Sequence, residues 1–147
     1  MFSPNQTPKR IYLAGPMQGI PHFNFPRFHA VTAMLRMSGH TVFNPAEKDI
    51  ERHDGVNIAA GNATGSLAEA QAEHGFSLRK ALAQDMEFIC LHAEVVLMLP
   101  GWETSAGATA EHRLATALKR EGMEIGYLSE EVCAIFERAH ARMTEAA

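Results

Sequence analysis

The chain has little cysteine, no surplus of positive charge and no long apolar run, and each shortage removes a class of function. Cys90 and Cys133 are its only cysteines, and no CxxC or Cys/His spacing surrounds them. A disulfide framework or a zinc centre therefore does not organise the fold. Both cysteines fall in apolar helical stretches and read as buried, reduced thiols. Thirteen Lys and Arg stand against seventeen Asp and Glu, a formal net charge of −4. Long nucleic acid, which needs a basic face, is not an expected partner, although a single nucleotide can still bind a local positive site. No apolar run approaches the roughly 20 residues that cross a bilayer. Met1 to Arg10 is polar and contains proline, unlike a secretory signal. The expectation is a cytoplasmic protein that does not enter the membrane. Its 147 residues, 46% of them apolar, suit one domain with a real core.

Strand and helix signals alternate. Arg10–Ala14 reads as a buried strand ending at Gly15-Pro16. Asn24-Phe25-Pro26 reads as a helix start, with Asn24 capping and proline in the first turn. Phe28, Val31 and Leu35 follow at helical spacing until Gly39. Thr41–Asn44 is a second strand, broken at Pro45. From Ala46 to about Gly75 the pattern dissolves into a long loop with a helical fragment at Leu67–Glu73, to be read either as a lid or as disorder. Ser77 caps a helix running to about His92, Glu94–Leu99 is an apolar strand, and Thr104 or Ser105 opens a helix reaching Arg120. Gly122 ends it. Glu124–Leu128 is a fourth strand, and Ser129 caps a last helix to about Arg142. This alternation predicts an α/β fold with a parallel sheet of four to five strands and helices on both faces.

Two carboxylates sit where apolar residues belong. At 100° per residue, Gly107, Glu111, Leu114 and Leu118 share one helical face, and Leu78, Leu82, Asp85 and Ile89 share another. An unpaired buried carboxylate costs several kcal/mol. Each acid therefore reads either as a member of a buried salt bridge, with Arg79 or Arg113 as partner, or as part of a site. Two inward acids flanking one strand, near glycine turns at the carboxyl end of a parallel sheet, favour a site. Paired carboxyls can cleave a glycosidic bond by a retaining route, one as nucleophile and one as general acid. Glu111, beside the small residues Gly107 and Ala108, fits the nucleophile, and Asp85 fits the acid. Tyr12 is either a hydroxyl that holds Glu111 or an ordinary strand aromatic.

Several segments taken together resemble the nucleoside 2-deoxyribosyltransferase superfamily, most closely its small phage and bacterial branch. They are Tyr12-Leu13-Ala14-Gly15-Pro16-Met17, Asn24-Phe25-Pro26, Gly39-His40 and Asn44-Pro45-Ala46-Glu47. To these are added Asp85 ahead of Ala93-Glu94-Val95-Val96, and Leu99-Pro100-Gly101-Trp102-Glu103-Thr104-Ser105 with Gly107-Ala108 and Glu111. The resemblance implies a flavodoxin-like three-layer sandwich and a covalent glycosyl–enzyme intermediate. In it Glu111 is the nucleophile, Tyr12 orients it, and Asp85 protonates or positions the base. It places Gly15, Gly19, Ser105 and Gly107 at phosphate-binding positions, although Pro16-Met17-Gln18 lacks the serine or arginine of a phosphate loop. It also implies a homo-oligomer, for which Trp102 is either an interface residue or a core cap.

Asn24, a helix cap or a ligand, and Asn44 and Glu47, after the second strand, are further substrate-binding candidates. Glu103 reads as solvent-facing, and Glu130-Glu131 as favourable charge in a first helical turn. The histidines (His22, His29, His53, His74, His92, His112 and His140 among them) lack paired ligand spacing, so neither metal nor cofactor is expected. The leading expectation is an N-glycosidase or deoxyribosyltransferase acting on a nucleoside or nucleoside monophosphate. The alternatives are a non-catalytic nucleotide-binding or sensor module and an NAD-type glycohydrolase.

Overall fold

The structure is a computed structural model and describes residues 7–145. The first six residues of the polar N-terminal tail lie outside the described residues. Ten main elements follow in order: β1 (Arg10–Ala14), α1 (Phe25–Met37), β2 (Thr41–Phe43), α2 (Pro45–Arg52), α3 (Leu67–His74), α4 (Leu78–Leu91), β3 (Val95–Met98), α5 (Ala106–Ala117), β4 (Glu124–Tyr127) and α6 (Glu130–Glu145). The four strands form one parallel sheet in the order β2-β1-β3-β4.

Side chains alternate across a strand, so each strand feeds two cores. Ile11 and Leu13 of β1 and Val95 and Leu97 of β3 pack with Phe28, Val31 and Leu35 of α1 and Cys133 of α6. Tyr12, Ala14, Val96 and Met98 point the other way, onto Ile89 of α4 and Ala108 and Ala115 of α5. The result is a three-layer, flavodoxin-like α/β sandwich. Arg27 of α1 ties the first outer layer together by pairing with Glu130 (2.8 Å) and Glu137 (2.9 Å) of α6. No described helix is long and apolar enough to cross a membrane.

The chain leaves β1 towards β2 on one side, then returns to build β3 on the other. The strand order therefore reverses between β1 and β3, where connections diverge and leave a crevice at the carboxyl ends. Four serine caps set helix starts, that of α3 through Ser66, which accepts from Glu69 N (3.2 Å). Ser77 accepts from Lys80 N (3.3 Å), Ser105 from Ala108 N (3.2 Å) and Ser129 from Val132 N (3.2 Å).

The structure corrects the reading in four places. The stretch from Ala46 to Gly75 is not one long loop: α2 occupies Pro45–Arg52, while the helical fragment expected at Leu67–Glu73 is there as α3, Leu67–His74. Only residues 53–66 connect them, and that connection is stitched to the β1–α1 turn. Gly19 N donates to Gly65 O (2.9 Å), His22 N donates to Asn62 O (2.8 Å), and His22 Nδ1 lies 3.1 Å from Ala59 O. Gly65 is at φ +68°, and a Cβ there would collide with the Ile20 carbonyl oxygen.

Asn24 occupies the N-cap position of α1 but does not cap it. His22, Phe23 and Asn24 are all left-handed (φ 55°, 53° and 61°), and Asn24 Nδ2 instead donates to Pro16 O (3.1 Å). Three such residues in succession cost strain, which this amide and the stitching to residues 59–65 hold in place. Cys90 is exposed, and only Cys133 is buried. The inward stripe of α5 is Ala108, Glu111 and Ala115, one residue round from the predicted face; Gly107, Leu114 and Leu118 flank it half-buried.

Candidate active site

Glu111 sits at the middle of the buried face of α5 and is 5% exposed; Asp85 sits at the middle of the buried face of α4 and is 6% exposed. Between them β1 delivers Tyr12, fully buried, whose ring stacks on Phe43 with centroids 5.3 Å apart. The Tyr12 hydroxyl donates to Glu111 Oε2. Asp85 Oδ1 is buried with no partner among the described residues. A buried polar atom left without a partner is rare in native folds, and here it faces a cleft.

The salt-bridge alternative does not describe these acids. Arg79 and Arg113 are both exposed, and neither Asp85 nor Glu111 has an ion pair among the described residues. Without a counter-ion, the cost of charge appears in the proton affinities. Burial pushes the Asp85 carboxyl up to about 7, with the Asp49 charge adding to the rise and Arg52 opposing it. Burial pushes Glu111 up to about 8, against the Tyr12 hydrogen bond and with the help of Asp85. Desolvation first, then the two nearby acids, raise the Tyr12 phenol well above its ordinary value. Around neutral pH the pair holds at least one proton.

The cleft above the acids opens at the carboxyl ends of β1 and β3, at the strand-order reversal. It is lined by Tyr12, Gly15, Met17, Asp85, Ser105, Gly107 and Glu111, all expected from the sequence. Gly15 is there because the chain has no room for more, since a Cβ would stand 2.8 Å from Leu99 Cβ. The other expected residues do other work. Asn44 caps α2 by accepting from Ala46 N (2.9 Å), and its amide faces Phe28 O (3.4 Å). Glu47 pairs with Arg36 (2.7 Å). Gly19 spends its N–H on Gly65, Pro16 offers its carbonyl to Asn24, and Trp102 stacks on His112 at 4.2 Å with Tyr127 beyond it.

The sequence reading missed Gln18, Asp49 and Phe76, which also line the cleft. Asp49 is buried on α2 and paired with Arg52, which also donates to Gln84. Its signal was available in the Asn44-Pro45-x-Glu47 pattern, an N-cap, a proline at the first helical position and an acid at the third. Read as a helix start, that pattern places Asp49 one turn in. Among the described residues no group of three or more His, Cys, Asp or Glu gathers to hold a metal.

A family model described as a domain of unknown function (DUF4406) matches residues 9–126, a span containing the whole sheet except its last residue, Tyr127, and every residue of the cleft. No curated protein and no solved structure matches the chain.

Proposed function

The chain belongs to the DUF4406 family, and from that premise we propose that it is a retaining N-glycosidase or deoxyribosyltransferase of nucleosides or nucleoside monophosphates. The observation that carries the reading is the pair of buried carboxyls without counter-ions, bridged on one side by a tyrosine hydroxyl, at the mouth of the sheet. The first-noted likeness to nucleoside 2-deoxyribosyltransferases supports it, as does the strand order, which by itself is analogy of fold.

In the reaction, the Glu111 carboxylate attacks the anomeric carbon from one face of the sugar. The bond from that carbon to the base nitrogen breaks, and its electron pair leaves with the base. Asp85 delivers its proton to that nitrogen. Water, or the N–H of a second base, then attacks the same carbon, Glu111 departs, and Asp85 recovers a proton. The task requires one carboxyl ionised and one protonated. In the free protein Glu111, at about 8, holds its proton more tightly than Asp85, at about 7, so the productive arrangement needs that proton to pass from Glu111 to Asp85; the Tyr12 hydroxyl favours the transfer by stabilising the ionised form of Glu111. Tyr12 thus positions the nucleophile, and Gly107 and Ala108 place no bulky side chain beside it.

A second reading, a nucleotide-binding or sensor module without catalysis, draws support from the narrowness of the cleft. Its enclosed part measures only about 80 Å³, below the usual few hundred Å³ of a ligand pocket. A nucleoside enters only if side chains such as Gln18, Phe76 or Leu82 swing aside.

Incubation with a panel of nucleosides, nucleoside monophosphates and NAD, with free base detected by chromatography, separates the readings. Base release that Glu111→Ala abolishes, in a variant that stays folded by circular dichroism, is the expected result. No release from any member at high protein concentration sinks the enzyme and leaves the binding module.

A further inference from the structure

Beside the carboxylate cleft lies a second, larger depression of about 430 Å³, and its chemistry is of the opposite sign. Arg52 and His53 at the end of α2 form one wall; His74 and the start of α4, with Lys80, form the other. Asp54 is the one acid on its lining, and it is exposed at the rim. In a chain whose net charge is −4, Arg52 and Lys80 converge here with two imidazoles, against Asp54 on the lining, Asp49 paired with Arg52 and Glu73 3.9 Å from His74.

The donors are available. Lys80 makes no ion pair or side-chain hydrogen bond among the described residues. Arg52 commits one N–H to Asp49 and one to Gln84, which leaves three of its five. His53 Nδ1 lies 2.6 Å from Asp49 O, so that nitrogen is the donor and Nε2 is left as an acceptor, able to take the O–H of a protonated phosphoryl oxygen. The His53 ring stacks on Phe76 at 6.0 Å, which fixes its direction. Phe76 lines both the groove and the carboxylate cleft, and Arg52 is held by Asp49, itself a cleft residue, so the two depressions adjoin.

We propose that this groove is a phosphate-binding site, with Lys80 and Arg52 as its donors and His53 and His74 at its edge. A guanidinium and an ammonium presented together suit the charge and the several acceptor oxygens of a phosphoryl group. Because the groove adjoins the cleft across Phe76, the phosphate it takes is that of the molecule whose sugar lies over Glu111. This last step rests on the glycosidase reading; the affinity for phosphate does not.

The test titrates the full chain with inorganic phosphate against chloride at matched ionic strength, followed by amide chemical shifts. Millimolar binding is expected, with shifts concentrated at residues 52–54 and 74–80. K80E, at an exposed position in the first turn of α4, is expected to weaken it about tenfold or more. K119E, an equal charge change on the distant Leu118–Glu121 turn, should leave it within about twofold, since only general screening is altered. No saturable binding, or equal loss in both variants, overturns the site. With a nucleoside monophosphate and its parent nucleoside as paired substrates, K80E should raise KM for the first alone. Phosphate binding without base release defeats the glycosidase reading and leaves the site standing. Base release with no phosphate binding does the reverse.

Discussion

Replacing Glu111 by glutamine should make the protein more stable in alkali and slightly less stable in acid. The wild-type carboxyl is raised by burial from an ordinary 4.5 to about 8. A folded state that holds its proton more tightly than the unfolded chain gains stability at low pH and loses it as pH rises. For Glu111 the loss begins above about 4.5 and is complete above about 8. At 1.36 kcal/mol for each pH unit, the span comes to about 5 kcal/mol. Glutamine keeps the shape and can accept from Tyr12, yet never ionises. Its extra N–H, without a sure partner, costs about 1–2 kcal/mol at every pH. The two stability curves should therefore cross. E111Q should lie about 1 kcal/mol below wild type at pH 5 and about 3 kcal/mol above it at pH 9, the latter worth about 10 °C in Tm for a domain this size. Urea unfolding by circular dichroism at both pH values measures the difference. Parallel curves from pH 5 to 9 would refute the claim that Glu111 is buried without compensation.

Two further outcomes follow from the same geometry. The pH dependence of kcat/KM for base release should be a narrow bell with limbs at about 7 and about 8. The active form is the pair carrying one proton, so the acid limb is loss of the pair's first proton and the alkaline limb loss of its second; a flat profile over pH 6–9 would reject the dyad. Gly65→Ala should destabilise the protein by about 2–3 kcal/mol, because left-handed backbone and the blocked space towards Ile20 both oppose a methyl group. Thermal unfolding that matches wild type would show that the connection does not depend on that close approach.

Much of this architecture was legible because it rests on local rules. The strand at Arg10–Ala14, the serine caps and the glycine stops state their positions in a few residues each. The two acids stood out because carboxyls interrupted otherwise apolar stripes. The stripe on α5 was placed one residue off because its buried members, Ala108 and Ala115, are small, while the bulkier Leu114 and Leu118 lie at its flank. The helix α2 escaped because its buried residues are Pro45, Ala46 and Asp49, which give no apolar period. The left-handed run at His22 to Asn24 is set by contacts with residues 59–65, distant in sequence, and with Pro16 across the turn, so local propensity carries no sign of it. For the same reason Asn44 looked like a ligand: its side chain is consumed by a helix that had not been recognised.

The hydrogen bonds that join Gly19 to Gly65 and His22 to Asn62 bear on how a ligand gets in. Met17 and Gln18 form one bank of the cleft, and they belong to the turn that is stitched to residues 53–66. That bank cannot retreat as a solitary flap; it moves with the whole connection or not at all. Admission is then a concerted opening of two sequence-distant segments, with an energy set by the shared bonds rather than by either loop's own flexibility. Amide protons at Gly19 and His22 are the natural reporters of that opening, since each is released only when both segments part.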